Sequence, residues 1–503
     1  MTTSRLLSIL VMVLTLSIPF ATARGQATPT YESAPEIAQR YALDVNFDPE
    51  TATIAGEMRV RWTNTTGEPQ ETLPFRLYPN ASYYGDGGIE LGEVTVEGDP
   101  VQPELDAVDP TVMRVPIPST APGEEIVLTL PFSTIVPVDT NGSFGIFRGN
   151  STDGSWALVN WYPIVAGWEP GKGWFLDPPR SLGDPTFVTA SAWDVTISHP
   201  DTHVLIGTGD ETTTVAAGIA TTTIDLPVGR ELAVVALPAG SVTTTVATIG
   251  NQDVQVTLPV DDAVPGMAEA LETFAGEALP RYGEWFGGPV ERELDITVAN
   301  LDGALGVSWT GAVWLDLDQL TADGVLDDVE RMSLRFVVHH EIGHQWMAGM
   351  IGTNSNNHTF LTEGLVNVLA VAIVRDIDGP QMAAYVFNGW VAGPYRAFVN
   401  GGQDAIADSP VGELSPTVHS FVTYGKGGVG FEAIRQEIGD DAFFEALEYL
   451  GTTYAWGIVT PEILLGAFEQ ASGVELDDLW ASWFERAEAT LPQVDAVIAG
   501  AGQ

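Results

Sequence analysis

The feature that most limits the folds open to this chain is a change of hydrophobic period near Gly240. Before it, apolar residues recur at every second position: Tyr41, Leu43, Val45 and Phe47, then Met58, Val60 and Trp62, later Trp193, Val195 and Ile197. A strand turns alternate side chains to opposite faces, so this spacing predicts half-buried β-strands. Gly, Pro, Asn and Asp break the runs at short intervals, as turns between strands require. Thr212–Thr214 and Thr221–Thr223 fit strands or a hairpin. Past Gly240, one or two more strands are expected, at Val254–Leu258 and around Leu294, Ile296 and Val298. Helical spacing then takes over, with helices expected to begin near Asp327, Thr362, Phe431 and Pro461, the last capped by Thr460. The expected fold class is α+β and multidomain: an all-β sandwich-like domain over 34–240 and a mostly helical domain over 241–493. Residues 24–33 read as a linker and 494–503 as a tail.

Composition excludes several functions. Against 67 Asp+Glu stand 20 Lys+Arg, a net charge of −47, and the only lysines are Lys172 and Lys426. Such a surface repels nucleic acid and anionic membranes, so neither is an expected partner. With no cysteine, disulfides, Cys-ligated zinc, iron–sulfur clusters and thiol catalysis are all excluded. Arg5, the apolar run Leu6 to Ala21 and the small-residue stretch Ala21-Thr22-Ala23 have the layout of a secretory signal peptide over 1–23. Cleavage after Ala23 or Ala27 is expected, giving a secreted or extracytoplasmic chain with no membrane span. The alternative is an uncleaved anchor, against which the short run and Pro19 argue.

The chemistry concentrates in one pentapeptide, His340-Glu341-Ile342-Gly343-His344. Residues four apart share a helix face, so both imidazoles reach one Zn²⁺ from the same side. Glu341 sits one step round, placed to take a proton from water without ligating the metal. Catalytic zinc needs a third protein ligand and an open position. Glu363 is the candidate, with eighteen residues between it and His344, at the start of the next helical run. Its alternative reading is a first-turn carboxylate that complements the helix dipole. His339 and His358 flank the set and read as neighbours rather than ligands. Gly425-Lys426-Gly427-Gly428-Val429-Gly430 has the spacing of a dinucleotide loop. A helix follows where a second strand and an acidic ribose anchor would be needed, so it reads instead as a Gly-rich turn after a strand-like run, Ser420–Tyr424.

These residues resemble the aminopeptidase N family of gluzincin zinc metallopeptidases. The resemblance rests on Val337 to Trp346, on Leu361-Thr362-Glu363-Gly364 and on Tyr424-Gly425-Lys426-Gly427, with weaker echoes such as Trp161-Tyr162-Pro163. It implies a β domain packed on a thermolysin-like catalytic domain, in a short form without the family's C-terminal helical-repeat domain. It further implies one zinc per chain held by His340, His344 and Glu363, with Glu341 as general base and Tyr424 stabilising the oxyanion. A peptide or protein would be the substrate. One departure stands out. Where the family carries a glutamate that anchors the substrate's α-amine, this chain offers Ser308 in one register and Gly306 in another. These two, with Lys426 beside Tyr424, are the candidate substrate-binding residues. The expected function is a secreted aminopeptidase-type zinc peptidase. The alternatives are an endopeptidase or dipeptide-releasing hydrolase, and a catalytically silent surface binding module.

Overall fold

A computed structural model describes residues 37–501, apart from 141, 184–185, 261–263, 289–292 and 322–325. The expected signal peptide lies outside the described residues.

The alternation of the first half becomes one large sheet. At its centre Gln39–Asp48 runs parallel to Ser191–Pro200 and antiparallel to Thr53–Thr63. Tyr41 stands opposite Val60 and Trp193, and Leu43 opposite Met58 and Val195. The three strands therefore put their apolar sets on one buried face. Two four-stranded sheets, one containing Trp156–Val159 and Ala233–Pro238 and the other Gln70–Arg76 and Val112–Thr120, and a two-stranded one at Trp168–Glu169 and Gly173–Trp174 complete this part. The threonine segments form the hairpin Asp210–Ala216 with Ile219–Gly229 at one edge of the large sheet.

Four residues after Pro238 the architecture changes. A five-stranded sheet runs Val242–Ile249, Gln252–Pro259, Glu293–Val298, Ala312–Leu315, Gly306–Trp309 in spatial order. It is larger than the sequence reading allowed. Val242–Ile249 is an exposed, threonine-rich edge with no apolar alternation to announce it. The last hairpin hides behind the glycines at 303 and 306. Its final strand, Gly306–Trp309, is the free edge, and it lies along the helix Asp328–Gly343.

The rest is helical and holds the larger apolar core. Asp327 caps the helix Asp328–Gly343 with a full capping box: its carboxylate accepts from Val329 and Glu330 N–H, and Glu330 accepts in return from Asp327 N–H. Phe360–Asp378 packs against that helix and also against Gly427–Ile438. Residues read as a tail form instead the helix Leu491–Gly500, with Val494 and Val497 buried. A third apolar cluster joins the two halves, Val159, Ala233 and Val235 from the β part meeting Leu301, Trp309 and Trp314. The result is a β-sheet-rich N-terminal domain followed by a helical domain.

Candidate metal centre

The helix pair Asp328–Gly343 and Phe360–Asp378 carries the site. His340 lies in the last turn of the first helix, His344 caps it, and Glu363 lies in the first turn of the second. Their ligand atoms converge: His340 Nε2 to His344 Nε2 is 3.1 Å, His340 Nε2 to Glu363 Oε2 3.1 Å, and His344 Nε2 to Glu363 Oε2 3.3 Å. A tetrahedral ion bonded at about 2.0–2.1 Å spaces its ligand atoms about 3.3 Å apart. No other group of three such side chains meets this test among the described residues.

Hydrogen bonding shows why a cation belongs there. His340 donates Nδ1–H to Asn367 Oδ1 at 2.9 Å. Asn367 is oriented for this by its own Nδ2–H, which donates to the Tyr424 carbonyl at 3.2 Å. His344 donates Nδ1–H to the Met347 carbonyl at 3.1 Å. With both Nδ1 positions committed, the neutral imidazoles turn two Nε2 lone pairs towards a carboxylate oxygen, leaving a place for a proton or a cation. The electrostatics agree. Burial disfavours a charged His344, yet Glu363 outweighs it and pushes the imidazole up to about 9. Burial likewise opposes the Glu363 charge, but the His344 and His340 imidazoles hold its carboxyl well below the usual range. The protein's own groups demand positive charge at this point, and two nitrogens with one oxygen suit zinc.

Glu341 is buried against the free edge strand. A methyl group added to Gly306 would fall 2.8 Å from Glu341 Oε1, so only glycine leaves the carboxylate its place. Burial raises Glu341 above the ordinary carboxylate range, with Glu363 adding to the rise and the two imidazoles opposing it. That shift suits a base working near neutral pH. Tyr424 stacks on His340, ring centroids 6.3 Å apart. Burial, then the charges of Glu363 and Glu341 and a hydrogen bond to Glu363, hold its phenol protonated.

The segment around Tyr424 is not the strand and turn read from the sequence. Ser420–Lys426 is a π-helix that runs directly into Gly427–Ile438. Its glycines serve close packing. A methyl at Gly364 would lie 2.8 Å from the Gly427 α-carbon, and one at Gly428 would lie 2.4 Å from Val391. The contact brings the helix of Glu363 and the helix of Tyr424 together at backbone distance.

The substrate-binding candidates are placed as follows. Ser308, on the edge strand, accepts a hydrogen bond from Gln345 Nε2 at 2.7 Å. Gly306 backs Glu341 as described. Lys426 is fully buried, its ammonium bonded to Asp404 at 2.9 and 3.0 Å and to the carbonyls of Ala405 and Arg486 at 2.7 and 2.6 Å. His339 turns away to Glu277 at 3.0 Å, and His358 pairs with Asp408.

Residues 309–483 match the peptidase family M1 domain. Over that stretch the chain is similar to aminopeptidase N-like gluzincins. Among curated gluzincins, the aminopeptidase N of Lactococcus lactis subsp. lactis is 23% identical over 160 residues, 31% of this chain and 19% of the relative. That of Streptomyces lividans is 23% identical over 240 residues, 44% of this chain and 27% of the relative. The matched stretches thus span less than a third of these relatives' lengths. The fold is that of an M1 zinc metallopeptidase from Deinococcus radiodurans, with a TM-score of 0.63 at 17% identity, covering 91% of this chain and 96% of that one. Legionella pneumophila aminopeptidase A, solved in complex with aspartic acid, gives 0.67 at 13% identity, covering 90% and 50%. The match to the M1 domain and the zinc metallopeptidases among the similar folds indicate zinc as the ion that His340, His344 and Glu363 would hold.

Two residues around the site escaped the sequence reading. Asn367 orients both His340 and the Tyr424 segment, and its signal was available: it lies four residues past Glu363, on the same helix face. Trp390, 38% exposed, stacks on Phe336 at 6.0 Å, and Phe336 in turn flanks His340. Its distance in sequence gave no hint of that contact.

Proposed function

We propose that this protein is a zinc metallopeptidase of the aminopeptidase type that hydrolyses peptide bonds outside the cytoplasm. The observation that carries the reading is the convergence of three acceptor atoms beside a buried carboxylate and a protonated phenol. Bound zinc supplies Lewis-acid polarisation of a carbonyl and a water acidified towards neutrality. Glu341 takes the proton of the attacking water and delivers it to the departing amine. Tyr424 donates its O–H to the carbonyl oxygen as that oxygen gains charge. The free edge of Gly306–Trp309 offers main-chain groups to an extended peptide alongside.

Ser308 favours a second reading of specificity. Its hydroxyl is engaged by Gln345, and neither it nor Gly306 supplies a negative charge for a substrate ammonium. An endopeptidase or dipeptide-releasing enzyme tolerates that loss better than a strict aminopeptidase. A single experiment separates the readings: metal analysis with hydrolysis of matched free and N-acetylated peptides, repeated on Glu341→Gln. One zinc per chain, cleavage of the free peptide and a zinc-loaded but inactive variant are expected. Equal cleavage of both peptides would replace the aminopeptidase reading with the second. Wild-type protein with neither zinc nor hydrolysis would leave only a binding module.

Export is part of the proposal and rests on the signal-like residues 1–23. Among the described residues no helix is long and apolar enough to cross a membrane. Intact mass of the native protein should show a chain starting at Arg24 or Thr28, and an N-terminus at Met1 would refute cleavage.

A further inference from the structure

The β domain reaches into the turn that follows the first metal helix. Arg230 stands directly after the strand Ile219–Gly229 and is 5% exposed. Its guanidinium donates to four main-chain carbonyls: Gly349 at 2.5 Å, Met350 at 3.1 Å, Gly457 at 2.7 Å and Val188 at 3.2 Å. A methyl group on Gly352 would lie 2.3 Å from the guanidinium carbon, so only glycine there leaves Arg230 its place. The turn itself is strained. Ala348 has a φ of +92°, a region that residues with a side chain adopt only when their surroundings hold them in it. Part of the restraint is local: Ala348 N–H donates to the Ile351 carbonyl at 2.9 Å, and Ile351 N–H to that of Trp346 at 2.7 Å. Arg230 supplies more of it, by answering the buried carbonyls of the two residues that follow Ala348.

That turn also contains a partner of the metal site. The Met347 carbonyl, one residue before Ala348, accepts the Nδ1–H of His344 at 3.1 Å. The bond settles which ring nitrogen carries the hydrogen, and it aims the other, Nε2, at His340 and Glu363. Farther along the same connection, Glu169 of the β domain accepts from Asn354 Nδ2 at 3.1 Å, ahead of the helix that carries Glu363. The chain between the two ligand helices is thus gripped by the β domain near both ends, and Arg230 is the grip nearer His344. We infer that Arg230 is a positioning residue for the metal: by fixing the turn Met347–Met350 it sets the orientation of His344, and with it the affinity for zinc. The inference rests on the metal centre and not on the peptide-bond chemistry proposed for it.

A residue that merely rivets the two domains would cost stability when removed and leave the metal unmoved. Arg230→Met, Arg230→Lys and Arg148→Met are therefore compared with wild type. Arg148 also joins the domains, through the main-chain carbonyl and the side chain of Asn300, and serves as the control. Zinc affinity is measured by chelator competition at a temperature where circular dichroism shows every variant folded. The visible spectrum of the cobalt(II)-loaded protein reports the ligand geometry. Arg230→Met should bind zinc about 10–100-fold more weakly, with an altered cobalt spectrum. Arg230→Lys keeps the charge but loses the planar fork, so its affinity should fall between that of Arg230→Met and wild type. Arg148→Met should leave both affinity and spectrum unchanged. Wild-type affinity and spectrum in Arg230→Met, or equal losses in Arg148→Met, would overturn the inference and leave Arg230 a rivet between domains. Should Arg230→Met fold poorly, Arg230→Lys carries the same comparison. Wild-type protein that takes up neither zinc nor cobalt would refute the metal centre, and this inference with it.

Discussion

Tyr424 and Lys426 stand two residues apart in one helix and serve two buried clusters built on opposite terms. Around Lys426 every hydrogen-bonding group is answered. Its ammonium has four acceptor contacts, and Asp404 also accepts from the Tyr395 hydroxyl and from the Ala405 and Ala489 N–H groups. Around Tyr424 the pairing is incomplete: His340 Nε2, His344 Nε2 and a Glu363 oxygen converge on one point that only a proton or a cation can fill. The first cluster clasps the loop at 404–405 and the C-terminal segment at 486–489 to the helix. The second waits for something from outside the chain. In a buried polar cluster, complete internal pairing marks architecture, and a surplus of one hydrogen-bonding sense marks a binding site.

Three measurements test that contrast, and a fourth tests a group outside it. Lys426→Met should have the largest effect, since it strands the Asp404 carboxylate in the interior. Urea unfolding should show a loss of about 3–5 kcal/mol. A variant of unchanged stability with an altered KM would reverse the contrast and return Lys426 to the substrate. Tyr424→Phe should do the opposite, lowering kcat by about 10²–10³ while melting within about 1 kcal/mol of wild type. Asn367→Leu should weaken zinc by about 10–100-fold in a chelator competition, because His340 loses the partner that fixes its ring.

The smallest effect concerns a carboxylate that belongs to neither kind of cluster. Asp295 is buried, and among the described residues its carboxylate has only Gln255 as a hydrogen-bond partner, at 2.6 Å, with Glu293 and Glu211 nearby. Burial holds its carboxyl above the ordinary range, and Glu293 adds to the shift. The unfolded chain therefore ionises it first, from about pH 4 upward. Stability should fall as pH rises from there until the folded carboxyl also ionises. Asp295→Asn should flatten that slope and stabilise the protein by about 1 kcal/mol at pH 8. A wild-type melting temperature that does not decline above pH 4, or no gain in the variant, would contradict this.

The sequence announced what is periodic. The buried strands were legible because one face of each meets the core, so Tyr41, Leu43, Val45 and Phe47 could be read directly. The metal set was legible because two ligands four residues apart need only one helix. The exposed strand Val242–Ile249 was not, since an edge in solvent leaves no apolar alternation. The π-helix was mistaken for a strand and a turn. Phe421, Val422 and Thr423 have β-forming side chains, and the glycines that follow look like punctuation until the neighbouring helix is in place. Lys426 was conspicuous by rarity, which signalled that it mattered but not what it touched. His419 had no spacing to any other residue, and the edge-on contact of its ring with that of Tyr424 exists only in three dimensions.

The π segment also sets which mutations the site can survive. A substitution within Ser420–Thr423 changes one side chain. Removing one residue there would re-form an ordinary helix with its backbone hydrogen bonds intact, yet close the widened turn that sets the spacing of His419 and Tyr424. His419 and the face that carries Tyr424 would then point to different neighbours. The length of this stretch is thus held more tightly than its composition, and among homologues it should vary freely in letters and hardly at all in count.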